Sequence, residues 1–181
     1  MRLRLRLTAR ARRRYNVLMA EIITITDRSE IKEIARLADV VWHECYKGII
    51  SDAQIDYMVN NFQSESAMLS LFDAGAEFYA LKEDGKTCGY IVLEKEKGAL
   101  FLSKLYLHSS IRGKGYGSLA LSFVKKRAAE LNYSSVYLHV NKCNQRAITA
   151  YLANGFEKEC SLDTDIGGGF AMEEYIMRAK V

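Results

Sequence analysis

The chain has 181 residues, of which 49% are hydrophobic, and this length suffices for one domain with a single core. It contains no apolar run near the ~20 residues of a membrane span and nothing resembling a secretory signal, so we expect a soluble, cytoplasmic protein without a membrane partner. The four cysteines are widely spaced without a C-x-x-C pair and the three histidines show no i, i+4 pairing, which argues against a disulfide framework and against a metal site.

The formal net charge of +4 is distributed unevenly along the chain. Seven of the 26 basic residues are arginines within residues 1–14, which leaves 19 basic against 22 acidic residues and a mildly acidic remainder. We interpret residues 1–18 as a basic N-terminal extension that is not native or is disordered. An incidental or mis-assigned extension ranks first because Met19 offers a second start, a transit peptide ranks second, and a nucleic-acid-binding arm ranks third. Residues 19–181 are expected to form a single domain.

The first part of this domain predicts one strand and then helices. Residues 22–26 are β-branched and predict the strand, and apolar residues at helical spacing down to Tyr46 predict a helix capped by Ser29. Ser51 and Gln54 have the spacing of a capping box for a second helix with Phe62 on its buried face, and a third helical segment follows. Five side chains near the turn between the first two helices are candidates for lining a pocket: Trp42, His43, Glu44, Tyr46 and Tyr57.

From Ala76 the pattern changes to strands. Residues 77–82 and 87–94 flank Asp84-Gly85, which is typical of a hairpin turn. The next strand, residues 100–107, is apolar on both sides and is expected in the middle of the sheet. Strict alternation would place Phe101, Leu105 and Leu107 on one face, and Leu100, Leu102 and Tyr106 on the other.

A glycine-rich loop connects this strand to a helix. Gly113, Gly115 and Gly117 let successive backbone N–H groups approach a ligand, and the helix N-terminus adds the positive end of its dipole. Together with the charges of Arg112 and Lys114, this arrangement favours a phosphate, although such a loop is often only a turn. A strand at 136–141 follows the helix and predicts a parallel crossover.

The last part of the chain predicts a short helix and two strands. Asn144 caps the helix, and Tyr151 lies on the same face about 10.5 Å further along the axis, so both can contact one extended ligand. Gly155 ends the helix. Strands at 156–161 and 170–177 are predicted to be joined by a loop that contains Asp163, Asp165 and three glycines.

The glycine loop has the form Arg-x-x-Gly-x-Gly at 112–117, it follows Leu-Tyr-Leu, and Asn144, Tyr151 and Gly155 come one crossover later. This arrangement resembles the GCN5-related N-acetyltransferase (GNAT) superfamily over roughly residues 21–180. The resemblance implies an α/β (α+β) fold with flanking helices and a mixed, mostly antiparallel central sheet that is splayed after its fourth strand. It further implies an acetyl-CoA-dependent N-acetyltransferase without a metal. By direct attack, the enzyme would acetylate a primary amine on a small molecule, such as a polyamine, or on a protein.

The same resemblance implies roles for individual residues. The backbone from Leu105 to Leu107 would pair with the pantetheine arm, and residues 113–118 would hold the pyrophosphate. Tyr151 would be the catalytic residue at the thioester sulfur and would assist departure of the thiolate. The implied cofactor-binding residues are Leu105, Tyr106, Leu107, Arg112, Gly113, Lys114, Gly115, Tyr116, Gly117, Ser118 and Asn144.

The residues do not single out one general base. Many family members carry a glutamate on the strand before the loop, but this sequence has Ser103 and Lys104 there. An amine with a pKa near 10.4 must lose a proton before attack, and four carboxylates are candidates to accept it: Glu94, Asp165, Glu173 and Glu174. A non-catalytic acyl-CoA sensor is the alternative function, and homodimerisation is also left open.

Overall fold

The computed structural model describes residues 2–3 and 20–181, with side chains from residue 21 onwards. Its strands, in chain order, are β1 (Arg2–Leu3), β2 (Ala20–Ile25), β3 (Glu77–Glu83), β4 (Lys86–Lys95), β5 (Leu100–Leu107), β6 (Ser135–Asn141), β7 (Glu157–Gly167) and β8 (Phe170–Lys180). They form one sheet in the order β1-β2-β3-β4-β5-β6-β8-β7, in which only β5 and β6 are parallel neighbours among the described strands. Apart from β1, the predicted extension 1–18 and the start at Met19 lie outside the described residues.

Helices flank this sheet on both sides. The α-helices of the described chain are α1 (Ile31–Tyr46), α2 (Asp52–Met58), α3 (Glu65–Asp73), α4 (Tyr116–Glu130) and α5 (Gln145–Ala153). A π-helical turn, Val59–Gln63, joins α2 to α3, and 3-10 turns at Arg28–Glu30 and Ser109–Ile111 precede α1 and the glycine loop. The predicted helices are therefore confirmed, and no helix within residues 20–181 is long and apolar enough to cross a membrane.

The capping predictions are only partly correct. Ser29 does not cap α1, whose N-cap is Glu30 without a side-chain hydrogen bond. Asp27 caps the preceding 3-10 turn, because its carboxylate accepts a hydrogen bond from the Ser29 N–H at 2.8 Å. Ser51 caps α2 as predicted by accepting from the Gln54 N–H at 3.2 Å. The Gln54 side chain does not complete the box, because it donates to the Ala171 carbonyl at 2.7 Å and so ties α2 to β8.

Phe62 is 39% exposed, so its predicted burial is wrong. It lies in the π-helical turn, where the i to i+5 pattern rotates side chains away from α-helical register. Gln63 is buried in its place at 3% exposure and accepts a hydrogen bond from the Tyr90 hydroxyl.

The sheet has two covered faces. On the α1 face, strand residues such as Phe78, Tyr90 and Val92 pack against α1 and α3. On the α4 face, Ile91 and Leu93, which alternate with Tyr90 and Val92 along β4, pack against α4 and α5. Alternate residues of β4 thus enter different cores, as expected for a strand buried on both sides.

A bulge in β5 overturns the predicted alternation. Val92 pairs with Lys104 but Leu93 pairs with Leu102, so Ser103 is an extra residue in β5. An extra residue shifts the side-chain alternation by one position. As a result, Leu105 and Leu107 lie on the α4 face with Leu100 and Leu102, whereas Phe101, Lys104 and Tyr106 share the α1 face.

The predicted splay of the sheet is confirmed. Parallel pairing between β5 and β6 is limited to Leu100 with Val136 and Phe101 with Tyr137. Beyond these pairs the strands separate, and β5 is the fourth strand once the two-residue β1 is left aside. The edge of β5 that faces β6 is therefore unpaired from Leu102 onwards.

The closing hairpin is longer than predicted. Asp163 and Asp165 are paired with residues of β8, so they belong to β7 and not to a loop. The turn needs only the following glycines, because Gly167, Gly168 and Gly169 all have positive φ. The Tyr57 ring packs against this turn, and its hydroxyl donates to the Ile166 carbonyl at 2.8 Å.

A carboxylate on β3 fixes α4, and with it the glycine loop, to the sheet. Glu77 accepts two hydrogen bonds of 2.8 Å from Arg127 of α4, one from Tyr79 at 2.6 Å, and lies 2.9 Å from Lys95 Nζ. The hydrogen bonds from Arg127 dominate in lowering the pKa of Glu77 from 4.5 to about 2. Such bidentate, partly buried pairs stabilise more than exposed ones.

We expect Glu77→Gln to lower the free energy of unfolding by about 2 kcal/mol at pH 7, after allowance for solvent screening. Because the pKa of Glu77 is depressed in the folded state, this stability is present above pH 4.5 and disappears as the pH falls towards 2. Urea denaturation at pH 7 and pH 3 measures both effects. Glu130→Gln is the matched control. The Glu130 side chain is 43% exposed, and its carboxylate lies 3.2 Å from Arg127 Nη1 and 4.0 Å from Lys126 Nζ. An equal loss of stability in both variants would contradict the special role of Glu77.

Candidate active site

A cavity of about 470 Å³ lies where β5 and β6 separate. Its walls come from the C-terminal half of β5, the end of β6, the C-terminal end of α1, the glycine loop and α5. Eight of the twelve residues predicted for the site line it: Leu105, Tyr106, Leu107, Arg112, Gly113, Gly117, Asn144 and Tyr151. The splay of the sheet thus creates the predicted opening, and the loop and α5 border it together.

The glycine loop leads directly into α4. Gly115 is the N-cap with a left-handed φ of +89°, and it has no side chain to cap the helix. The N–H groups of the first turn, from Tyr116 to Ser118, have no acceptor within the helix. This end of α4 therefore presents unpaired donors and a positive dipole end beside the cavity.

Four predicted residues do not line the cavity. The Tyr116 side chain is buried and donates its hydroxyl to Glu83, and Lys114 Nζ lies 4.0 Å from the same carboxylate. Ser118 Oγ accepts from the side-chain amide of Asn154, the C-cap of α5, at 3.2 Å. With Gly115, these residues can contribute backbone N–H groups to a ligand, but the side chains of Tyr116 and Ser118 are engaged within the protein.

The Arg112 side chain is likewise engaged. Its Nε donates to the Leu107 carbonyl at 2.7 Å, and its Nη2 lies 3.2 Å from a Glu44 carboxylate oxygen and 3.1 Å from Cys45 Sγ. Arg112 thereby links the loop to the end of α1. The charge that the sequence suggested for a phosphate is already balanced by Glu44.

Arg146, near the start of α5, was not predicted. It lines the cavity, is exposed, and forms no ion pair with any residue in the described range. Its charge reaches the interior, where it and Arg112 oppose the effect of burial, which raises the pKa of Cys45. Arg146 is therefore the uncompensated guanidinium at this cavity.

Tyr151 projects from α5 into the cavity. Its hydroxyl makes no hydrogen bond to any other residue in the described chain, and burial raises the pKa of Tyr151, with the nearby Tyr46 adding to the effect. The group is therefore protonated throughout the neutral range and is available as a donor. Burial also raises the pKa of Tyr46 to about 12, although hydrogen bonds from Tyr106 and Asn144 oppose this shift.

Asn144 occupies the N-cap of α5, as predicted. Its Oδ1 accepts a hydrogen bond from the Ala147 N–H at 3.2 Å. The capping role uses the carbonyl oxygen, so the two Nδ2 protons are available to Tyr46, which also lines the cavity, and to a ligand in the cavity.

The backbone of β5 offers a further donor. The His108 N–H bonds to the Cys88 carbonyl of β4 at 2.8 Å. Because N–H groups alternate in direction along a strand, the Leu107 N–H points away from β4 and towards the cavity. Its position suits stabilisation of a carbonyl oxygen that gains negative charge.

His139 is another polar residue of the cavity that was not predicted. It lies on β6 and lines the cavity, and its Nδ1 is 3.5 Å from a carboxylate oxygen of Glu174 on β8. Of the four predicted base candidates, only Glu174 contacts a cavity residue. Asp165 accepts from the Gly167 N–H, Glu173 is exposed, and Glu94 lies on the α1 face near Lys104.

Of the five residues near the turn after α1 that were proposed to line a pocket, only two do so. Glu44 and Tyr46 line the cavity, whereas Trp42 is buried beneath it. His43 lies outside, with its Nε2 3.0 Å from Asp56 of α2, and Tyr57 holds the β7–β8 turn. Within residues 21–181 no group of three or more metal-ligating side chains is present.

Comparison with known proteins agrees with this geometry. A sequence model described as "Acetyltransferase (GNAT) family" matches residues 35–156. An uncharacterized N-acetyltransferase of Mycobacterium bovis is 28% identical over 134 residues, which are 74% of this chain and 85% of that protein. Another, from the pepI 3′ region of Lactobacillus delbrueckii subsp. lactis, is 28% identical over 92 residues, 46% of this chain and only 53% of that protein.

Solved structures share the fold. The PaiA N-acetyltransferase of Thermoplasma acidophilum, in complex with coenzyme A, has a TM-score of 0.77 at 23% identity. The match includes 90% of this chain and 99% of the PaiA chain. A GCN5-related N-acetyltransferase from Rhodopseudomonas palustris also has a TM-score of 0.77, at 13% identity, and the match includes 91% of this chain and 98% of the R. palustris chain. At these identities the likeness concerns the fold.

Proposed function

This chain belongs to the acetyltransferase (GNAT) family, whose reaction is acetyl-CoA-dependent, and from this premise we propose that it acetylates a primary amine of a small molecule or of a protein. The observation that carries the proposal is the β5–β6 cavity, where the Tyr151 hydroxyl, the Leu107 N–H and the end of α4 converge. A non-catalytic acyl-CoA sensor is not favoured, because the curated relatives are named N-acetyltransferases. Acetyl-CoA and reduced cysteines both suit the cytosol, which we propose as the compartment.

The residues present fit acetyl-CoA. The unpaired edge of β5 can pair with the amides of the pantetheine arm, and Asn144 Nδ2 can bind the same arm. The N–H groups from Gly113 to Ser118 suit the pyrophosphate. Because Arg112 is paired with Glu44, we assign the phosphate-neutralising charge to Arg146.

Acetyl-CoA supplies a thioester that an amine attacks directly, and the protein stabilises the charges that this attack creates. The Leu107 N–H donates to the carbonyl oxygen as it gains negative charge. Tyr151 donates to the sulfur as it leaves. Because a buried tyrosine is a weak acid, a hydrogen bond to the thiolate contributes as much as full proton transfer.

His139 accepts the proton of the attacking amine, directly or through water. Imidazole is suited to this task near neutral pH, and Glu174 orients the ring and stabilises the imidazolium that forms. In place of the open choice among four carboxylates, we assign the base to a histidine with one of those carboxylates as its partner. Glu174 is then a positioning residue.

The proposal is tested by detecting free CoA from acetyl-CoA with a panel of amines. The panel includes a polyamine, amino acids, an aralkylamine, and a peptide with a free N-terminus and a lysine. We expect CoA release that depends on one class of amine, with the acetylated amine identified by mass spectrometry. Saturable acetyl-CoA binding without acetylation of any amine would instead support the sensor.

A substitution at Gly115 tests the cradle formed by the loop. Gly115 has φ +89° and open space where a Cβ atom would lie, so Gly115→Ala introduces backbone strain without a clash. We expect a loss of about 1 kcal/mol in unfolding free energy and a roughly tenfold rise in the KM for acetyl-CoA, because relief of the strain reorients the loop N–H groups.

Gly98→Ala is the matched control. Gly98 has φ +94° and equally open surroundings, but it lies in the β4–β5 turn at the other end of β5. Thermal unfolding and steady-state kinetics should show a similar stability loss in both variants and a raised KM only for Gly115→Ala. An equal KM for acetyl-CoA in the two variants would contradict a role of the glycine loop in binding acetyl-CoA.

A further inference from the structure

Lys104 is a buried cation without a partner. It is 8% exposed, and its ammonium forms no hydrogen bond or ion pair with any residue of the described chain. Burial lowers the pKa of Lys104 to about 8, with the charge of Glu94 opposing the shift from beyond ion-pair distance. An uncompensated buried ammonium is costly, which makes a structural role on its own a poor explanation.

The ammonium nevertheless reaches accessible space. In the described chain, the one fully enclosed polar side-chain atom that lacks a partner is Trp42 Nε1. Lys104 Nζ also lacks a partner, so it must retain some accessible surface. The ammonium nitrogen is therefore not fully enclosed, and although Lys104 itself does not line the cavity, its neighbours Ser103 and Leu105 do.

The bulge at Ser103 determines where this charge lies. It turns Lys104 onto the α1 face, just beyond Phe101 and the last β5–β6 pair. On the same face of β6, the rings of Tyr137 and His139 lie 4.7 and 5.2 Å from the Phe101 ring. Lys104 and His139 therefore flank the separation of the strands, one on each side.

The carboxylates of this face do not neutralise Lys104. Glu96 accepts from the Tyr137 hydroxyl, and Glu174 contacts His139. Glu94 lies opposite Phe101 on β4 but more than ion-pair distance from the ammonium. A negative charge supplied by a bound molecule would complete the site.

Resting on the amine acetylation proposed above, we propose that the acceptor is a primary amine that also bears an anionic group, a carboxylate or a phosphate, and that Lys104 binds this group. The acceptor amine then lies towards His139 and the anionic group towards Lys104. A polyamine fits poorly, because its second positive charge would approach a buried ammonium without a counter-ion.

The test compares acceptors that differ only in the anionic group. L-phenylalanine is paired with phenethylamine, and O-phosphoethanolamine with ethanolamine, so that the two arms distinguish a carboxylate from a phosphate; spermidine represents the polyamines. The readout is the ratio of kcat/KM within each pair for the wild type, Lys104→Met and Lys104→Arg. Lys97→Met, at an exposed lysine of the β4–β5 turn, is the control for removal of a positive charge.

We expect the wild type to prefer the anionic member of at least one pair. Lys104→Met should reduce that ratio at least tenfold, Lys104→Arg should keep it above that of Lys104→Met, and Lys97→Met should keep the wild-type ratio. Lys104→Met should also raise the thermal midpoint, which shows that it folds. This inference would be overturned if the wild type preferred spermidine, or preferred the member of each pair that lacks the anionic group. It would also be overturned if Lys104→Met did not change the ratio. In both cases the proposed acetyl transfer would still stand. If no amine is acetylated, the proposed function itself fails and this inference fails with it.

Discussion

Tyr151→Phe is expected to reduce kcat by about two orders of magnitude, with a much smaller change in the KM for acetyl-CoA. The substitution removes one hydroxyl and keeps the ring, which lies 5.7 Å from the Phe156 ring. Because that hydroxyl has no partner in the described chain, its loss leaves no other group unsatisfied. The effect should therefore appear in turnover and not in folding, and single-turnover kinetics with a fixed acceptor measures it.

Tyr133→Phe is the matched control. Tyr133 packs against the same hydrophobic core as Tyr151 but does not line the cavity. Its loss of a hydroxyl should leave kcat within about twofold of the wild type. Because burial raises the pKa of Tyr151, the wild-type activity should also show no loss from tyrosine ionisation up to about pH 10. Full turnover by Tyr151→Phe would contradict the proposal that the Tyr151 hydroxyl donates a hydrogen bond to the leaving sulfur.

His139→Gln is expected to reduce kcat/KM for the amine by about a hundredfold at pH 7. The glutamine side chain retains a polar group but cannot accept the proton. The deficit should narrow as the pH rises towards 10, because a growing fraction of the amine is already deprotonated in solution. A pH profile of kcat/KM for wild type and variant measures this convergence.

Glu174→Gln and His43→Gln separate positioning from general histidine effects. Glu174→Gln should cause a smaller loss with the same convergence at high pH, since the imidazole remains but loses its carboxylate. His43 is paired with Asp39 and Asp56 outside the cavity, so His43→Gln should keep the wild-type pH profile. A pH-independent deficit in His139→Gln would assign His139 to packing against Phe101 and not to proton transfer.

The parts of the site that the sequence predicts are local. The glycine loop with its helix, and Asn144 with Tyr151 two turns further along a single helix, depend on spacing within a few residues. The splayed sheet followed from a family resemblance carried by the same residues. These predictions agree with the structure because short-range backbone geometry determines them.

The remaining features depend on contacts between distant residues. Arg112 is balanced by Glu44, which precedes it by 68 positions, and His139 meets Glu174 only because β6 and β8 are paired. The bulge at Ser103 has no composition signal, yet it reverses the orientation of Lys104 and every later residue of β5. Hence the sequence predicted that Tyr151 and part of the glycine loop lie at one site, but it did not predict the proposed proton acceptor His139 or the buried cation Lys104.

This reversal changes the interpretation of the acceptor side. Strict alternation would have placed Lys104 with the apolar residues Leu100 and Leu102 on the α4 face. The bulge instead moves an unpaired ammonium to the face that carries His139. The charge at the proposed acceptor side is therefore determined by one inserted residue and not by the net charge of the body.

A crystal structure of the complex with acetyl-CoA tests most directly whether the separation of β5 and β6 holds the co-substrate. We predict the pantetheine arm along the unpaired edge of β5, the thioester carbonyl oxygen at the Leu107 N–H, the pyrophosphate on the N–H groups of residues 113–118, and the thioester sulfur within hydrogen-bond distance of the Tyr151 hydroxyl. Density for acetyl-CoA outside this cavity, or a sulfur remote from Tyr151, would contradict this prediction.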